Sequence, residues 1–269
     1  MSQEVRELLK LIICEFTKLK RKIFIPLVLM SALLFPIPLI VYASMPRNMA
    51  ETRVKNFNEY FGFVMGYGVE LLLPCVIGVI AAILFFMERD NDTFKNLRTI
   101  PVTSTQMILA KITVLFSFGI VFSLISAMAA FLCGGFSAET EVTGVVYKLT
   151  LAVEMGIFIT AGTLPLVVLV VFFSKTYIFS ILLCVFYSIL SLTAESGFGV
   201  LPKALCWLMP IPLTTLWSAA DMIRHGSRDN IKALEYLFPS TFQTAAILGV
   251  MTFLSVMLID FLYKKRGEE

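Results

Sequence analysis

Ile112-Thr-Val-Leu-Phe-Ser-Phe-Gly-Ile-Val-Phe-Ser-Leu-Ile-Ser-Ala-Met-Ala-Ala-Phe-Leu-Cys-Gly-Gly135 holds 24 consecutive residues with no charged side chain. Coiled as an α-helix at about 1.5 Å per residue, such a run is longer than the roughly 30 Å hydrocarbon core of a bilayer. A membrane β-barrel would show alternating segments of about ten residues, whereas this run is continuous. Five more apolar runs occur, at Ile23–Ala43, Phe63–Met87, Leu149–Phe173, Tyr177–Thr193 and Thr244–Tyr263, three of them holding one acid each. Each can satisfy its own backbone internally only as a helix. The sequence therefore predicts an all-α integral membrane protein with six transmembrane helices. Pro26, Pro36, Pro38, Pro74 and Pro165 fall inside these runs and are read as kinks held by neighbouring helices.

Composition agrees. Of 269 residues, 58% are hydrophobic and only 15% charged, with a mean hydropathy of +0.86. A soluble domain would carry about a quarter charged residues, so lipid has to cover part of this chain. The five cysteines, Cys14, Cys75, Cys133, Cys184 and Cys206, form no CxxC pair and are read as packing residues.

Before the first run, residues 1–22 read as an amphipathic interfacial helix, and residues 23–269 as a single transmembrane domain. Val5, Leu8, Leu9, Ile12, Ile13, Phe16 and Leu19 recur at helical spacing, with Arg6, Lys10, Lys18 and Lys20 largely outside the stripe. Such a helix suits a membrane surface; an ordinary helix packed on protein is the alternative. Between the fifth and sixth runs, residues 194–222 are apolar but broken by Pro202, Pro210 and Pro212. They are read as a re-entrant or interface-lying pair of short helices, with Trp207 and Trp217 at headgroup level; a seventh span is the alternative. Placing the N-terminus inside puts 14 basic residues on the inner segments and 8 on the outer ones. The positive-inside rule then sets both termini in the cytoplasm of a multi-pass plasma-membrane protein.

Several chemistries have no footing in the sequence. It contains no P-loop, no H-E-x-x-H and no G-x-S-x-G, so neither nucleotide hydrolysis nor these hydrolase mechanisms can be placed on it. The single histidine, His225, has no ligand-spaced partners, so no metal site and no catalytic residues are assigned.

Two stretches suggest function. Glu88-Arg-Asp-Asn-Asp-Thr93-Phe-Lys-Asn-Leu97-Arg-Thr-Ile-Pro101 follows the second run on the inner side. Asp92 or Thr93 can cap a short helix with Phe94 and Leu97 on its apolar edge, Pro101 ends it, and Ser104 caps the approach to the third span. That helix would suit docking into a groove on another protein, the plain alternative being a solvated loop. Within the spans, Glu70 and Glu154 are acids in apolar surroundings and candidates for function. Each lies roughly 8–10 Å below the predicted outer end of its span, where the two would form a substrate-path patch attractive to cationic peptides. The alternative is that they snorkel or pair with Lys148. Asp260 is expected to pair locally with Lys264, and Gly62 with Gly66 to allow close helix approach.

The chain resembles the permease subunits of ABC-2-type ABC transporters. The resemblance rests on the interfacial helix before six spans, on Glu88, Thr93, Leu97, Pro101 and Lys111 in and after the loop, and on the re-entrant segment. Where such permeases often carry Gly before the Thr, this chain has Asp92. Glu15-Phe-Thr-Lys-Leu-Lys-Arg21 further resembles the segment before the first span in lantibiotic-immunity and bacitracin-resistance permeases. The resemblance implies an export permease for antimicrobial peptides, driven by ATP bound on a separate ABC ATPase, likewise in two copies, with no cofactor on this chain. Glu88, Arg89, Thr93, Phe94, Leu97 and Pro101 would form the ATPase-coupling loop. A homodimer, or a heterodimer with a sister permease, would complete the path; membrane lipid and peptide are the other partners, and no nucleic acid is expected. A lipid or drug permease, an intramembrane enzyme and an ion-driven transporter are the competing readings.

Overall fold

The computed structural model describes residues 3–20, 22, 24–43, 53–90, 103–173, 177–228 and 232–268. Among these the regular structure is helical, with no strand. Five stretches are long and apolar enough to cross a bilayer: Arg53–Phe86, Ser104–Phe136, Val145–Phe172, Ile178–Ser196 and Thr241–Lys264. The count rises to six if Arg6–Lys20 and Ile25–Val41, which meet at a bend, are taken together as one broken span.

The first helix, α1 (Gln3–Lys20), is amphipathic, and its stretch Arg6–Lys20 lies at 87° to Ile25–Val41. Its apolar stripe divides. Glu15 and Leu19 are buried, while Leu9, Ile13 and Phe16 are exposed. One edge thus packs on protein and the other faces outward.

The first span is broken into α2 (Phe24–Met30), a 3-10 turn (Ser31–Leu33) and α3 (Pro36–Ala43). Pro36 has no N–H to give the carbonyl of Ala32, four residues back. That carbonyl instead accepts from Ser126 Oγ at 3.1 Å, and the Pro36 carbonyl accepts from Tyr60 Oη at 2.8 Å. Neighbouring spans therefore satisfy the polar groups that the break sets free.

The second span begins ten residues before its apolar run. Helix α4 (Arg53–Phe63) passes into a π-helical stretch, Val64–Leu71, and then α5 (Leu72–Asp90). Pro74, just after the wide turns, offers no N–H to the Glu70 carbonyl. π-Turns inside α-helices recur at functional sites, and this one carries Glu70.

Helix α6 (Ser104–Phe136) and helix α7 (Val145–Phe172) form the centre of the bundle. The N-cap of α6 is Thr103, not Ser104. Thr103 Oγ1 accepts from the Gln106 N–H while Gln106 Oε1 accepts from the Thr103 N–H, the reciprocal pair of a capping box. The two helices cross where Gly119 meets Gly156. A Cβ on Gly119 would fall 2.0 Å from Thr160 Oγ1, and one on Gly156 would fall 2.5 Å from Ser123 Oγ. The close approach of small residues is here and not at Gly62 and Gly66, where an added Cβ meets open space or only Glu70 at 4.0 Å.

Helix α8 (Tyr177–Ser196) is followed by α9 (Lys203–Leu208), α10 (Pro210–Arg224), a 3-10 turn (Lys232–Leu237) and α11 (Thr241–Glu268). Helices α9 and α10 are the short pair expected for residues 194–222, separated at Met209 by extended backbone. At 15 residues, α10 is too short to span at about 1.5 Å per residue. Trp217 faces protein and not lipid: it is fully buried, edge-on to Phe158 at 4.7 Å, and its Nε1 donates to Thr241 Oγ1 at 3.0 Å. In α8 and α11 only 17% of the apolar window is buried, so most of their side chains are left for lipid or a partner.

Candidate functional site

One face of the second span presents Gly62, Gly66 and Glu70 at four-residue intervals, the repeat that aligns side chains along a helix. Opposite stand Leu192 and Glu195 at the end of α8, and Thr215, Ser218 and Met222 along α10. Together with Lys55, Glu59 and Arg228, among others, they enclose a cavity of about 680 Å³. The missing side chains of the two glycines leave room on the near wall. The cavity lies at the end of the bundle that carries α10 and the turn after it, the end that the basic-residue count places outside the cell.

Glu70 is 5% exposed. Its Oε2 accepts from Thr215 Oγ1 at 3.0 Å and its Oε1 from Ser218 Oγ at 3.1 Å. Thr215 Oγ1 also lies 2.9 Å from Glu195 Oε1 and 3.1 Å from the Ile211 carbonyl. A threonine hydroxyl has one proton, and here three acceptors contend for it. Two carboxylates around one hydroxyl, away from bulk water, repel each other more strongly than they would in solvent. The arrangement favours whatever brings positive charge or extra donors between them.

Glu154, expected beside Glu70, does not line this cavity. Its ionisable neighbours are Asp221 and His225. Tyr147 Oη donates to Asp221 Oδ2 at 2.8 Å, and the Tyr147 ring stacks on His225 with centroids 4.0 Å apart. Nor does Lys148 turn to Glu154: it donates to Asn58 Oδ1 at 2.8 Å and to the Thr143 carbonyl at 2.7 Å. The partner of Glu70 is Glu195, two residues beyond the end of the fifth apolar run. With Thr215 and Ser218 in the prolines' wake, it carried no signal a linear pattern could show. The expected Asp260–Lys264 pair is present, with Thr105 Oγ1 donating to Asp260 at 3.0 Å.

At the other end of the bundle, Lys111 is fully buried. Its Nζ lies 3.3 Å from Glu15 Oε2, donates to the Leu84 carbonyl at 2.9 Å and sits 5.4 Å from the centre of the Phe85 ring. Glu15 also pairs with Lys18 in its own helix. One ammonium thus ties α1 and α6 to the last turns of α5. Glu88 and Arg89 belong to that helix by backbone; Thr93, Phe94, Leu97 and Pro101 lie outside the described residues. The sequence motif that contained Glu15 and the lysine opening span three gave no sign that these two would meet. Among the described residues, no group of three His, Cys, Asp or Glu side chains is placed to hold a metal ion.

A helical multi-pass membrane protein with an amphipathic first helix, a buried ionic joint at one end and a polar cavity under short helices at the other is the class these features define. The chain belongs to the ABC-2 transporter family: the model described as "ABC-2 family transporter protein" matches residues 11–191, from within α1 to within α8. Members are membrane components, not catalysts, and normally work with an ATPase subunit. Comparison with curated proteins finds no match.

Proposed function

We propose that this chain is the membrane half of an ATP-driven exporter that protects its cell from antimicrobial peptides of lantibiotic or bacitracin type, expelling them from the membrane. The observation that carries the reading is the cavity under α10, with a buried carboxylate at its base and exposed aromatics, Phe63 and Tyr67, on its wall. Such a site suits an amphipathic molecule arriving through the outer leaflet.

A separate ATPase, in two copies, would grip the 88–101 loop of each of two permease chains. Closure of the ATPases on ATP pulls on the end of α5. Because Lys111 joins that end to α1 and α6, the three helices move together, and the central crossing at Gly119 and Gly156 passes the tilt to α7. Rocking between two packings of the same helices is the bistable element that a transport cycle needs. Both termini are on the cytoplasmic side in this scheme.

The test is a susceptibility panel of cell-wall-active peptides in strains lacking this chain, its neighbouring ATPase, or both. Either deletion is expected to lower the inhibitory concentration of the same peptides by about tenfold, with no further loss in the double deletion. Unchanged susceptibility across the panel, or resistance retained without any ATPase, overturns the reading.

A further inference from the structure

We propose that the cavity between the second span, α8 and α10 is a recognition site for a primary ammonium group carried by an amphiphile, seated between Glu70 and Glu195. The inference rests on the permease reading for its role in transport, but the binding chemistry is the chain's own. A volume of about 680 Å³ is in the range of small-molecule sites, which are mostly apolar with a few placed polar groups. Here the apolar part is a wall of Phe63, Met65, Tyr67, Leu192 and Met222. Phe63 and Tyr67 stack with centroids 6.1 Å apart and are 40% and 42% exposed.

The polar part selects among cations. Glu70 and Glu195 each lie within hydrogen-bonding distance of the Thr215 hydroxyl. A primary ammonium offers three donors from one point and can serve all three at once. A guanidinium binds best as a planar fork onto both oxygens of one carboxylate, and at Glu70 both oxygens already accept from hydroxyls, Thr215 and Ser218. Among the described residues no third His, Cys, Asp or Glu joins the two acids in a group placed to hold a metal ion. Lys55 and Arg228 share the lining with Glu59, Glu70 and Glu195, so the cavity is not a diffuse negative sink. The attraction is local to the two carboxylates, and the hydroxyl proton they contend for is released from that contest when the ammonium enters.

The test uses the full chain, purified without ATPase in phosphatidylcholine nanodiscs, and a dansyl-labelled alkyl primary amine with its trimethylammonium counterpart. The primary amine is expected to bind at least tenfold more tightly, since the trimethyl head has the same charge and no N–H to donate. Glu70→Gln and Glu195→Gln are each expected to weaken it by about tenfold or more, the usual size for losing a charged hydrogen bond; Glu139→Gln, an exposed acid outside the cavity, is expected to change nothing. Gly62→Leu fills the cavity from a position with open space around it and is expected to abolish binding while the acids stay in place. Equal binding of the two probes, or unchanged binding in both Glu70→Gln and Gly62→Leu, overturns the proposal. A peptide lysine and an aminophospholipid headgroup carry the same chemistry. Competition by phosphatidylethanolamine added to the nanodisc, or by a lysine-bearing peptide alone, identifies the source, and either supports the site. Binding without any resistance phenotype would remove the peptide-export reading and leave this one standing; resistance without binding would do the reverse.

Discussion

At the scale of single residues, the buried ionic joint is the most demanding arrangement in the chain. Lys111 has no exposed surface, and Glu15 divides its oxygens between Lys111 and the half-exposed Lys18. Removing one partner of a buried pair costs more than the pair contributes, because the other charge is left without compensation. Lys111→Met is therefore expected to lower stability by about 3 kcal/mol, read as a fall in the unfolding temperature in detergent. The Glu15→Gln, Lys111→Met double variant is expected to lose less than the sum of the single losses, the mark of direct coupling. Additive losses would show that the two do not act as a pair. The sequence could flag Glu70, since an acid deep in an apolar run is rare enough to notice. It marked Lys111 only as the lysine entering span three in the family resemblance, with no sign that it would be buried against Glu15. Glu195 was equally silent: it lies where the fifth run ends, and only the return of α10 brings Thr215 between it and Glu70.

At the scale of elements, apolar length was enough to locate five spans, because no other sequence property competes with about twenty residues that are almost all apolar. Their ends were less legible. The second span starts at Arg53, since Lys55, Asn58 and Glu59 are polar for the cavity's sake and not because the helix has stopped. Packing between spans was misread for a related reason. Gly62 and Gly66 have the spacing of a helix-packing motif, but that spacing does not say which neighbour, if any, fills the groove. The contact is made instead by Gly119 and Gly156, which sit on different helices and share no linear pattern. Gly156→Leu is accordingly expected to separate α6 from α7 and to abolish recovery of folded protein in size-exclusion chromatography, while Gly62→Ala is expected to leave elution and melting temperature within about 2 °C of the parent, as surface substitutions usually do. Equal behaviour of the two variants would mean the crossing is not where the helices are locked.

At the scale of the whole molecule, the two ends of the bundle are linked by the same long helices. The second span carries Glu70 near one end and, beyond Leu84, the loop expected to meet the ATPase at the other. The third carries Lys111 at that same end and Gly119 at the crossing. In the proposed cycle a pull on the loop would reach the cavity through continuous helix, by way of the π-helical stretch Val64–Leu71. The docking surface itself can be tested directly. Reversing the charges of Glu88 and Arg89 and replacing Leu97 by alanine is expected to prevent co-purification of the cognate ATPase and to abolish peptide-stimulated ATP hydrolysis, with ammonium binding in the cavity unchanged. The last condition matters most. Loss of both functions would point to a chain that no longer folds, and retention of ATPase capture would place the grip on another inner segment, for which α1, with its exposed basic residues Arg6, Lys10 and Lys20, is the nearest candidate.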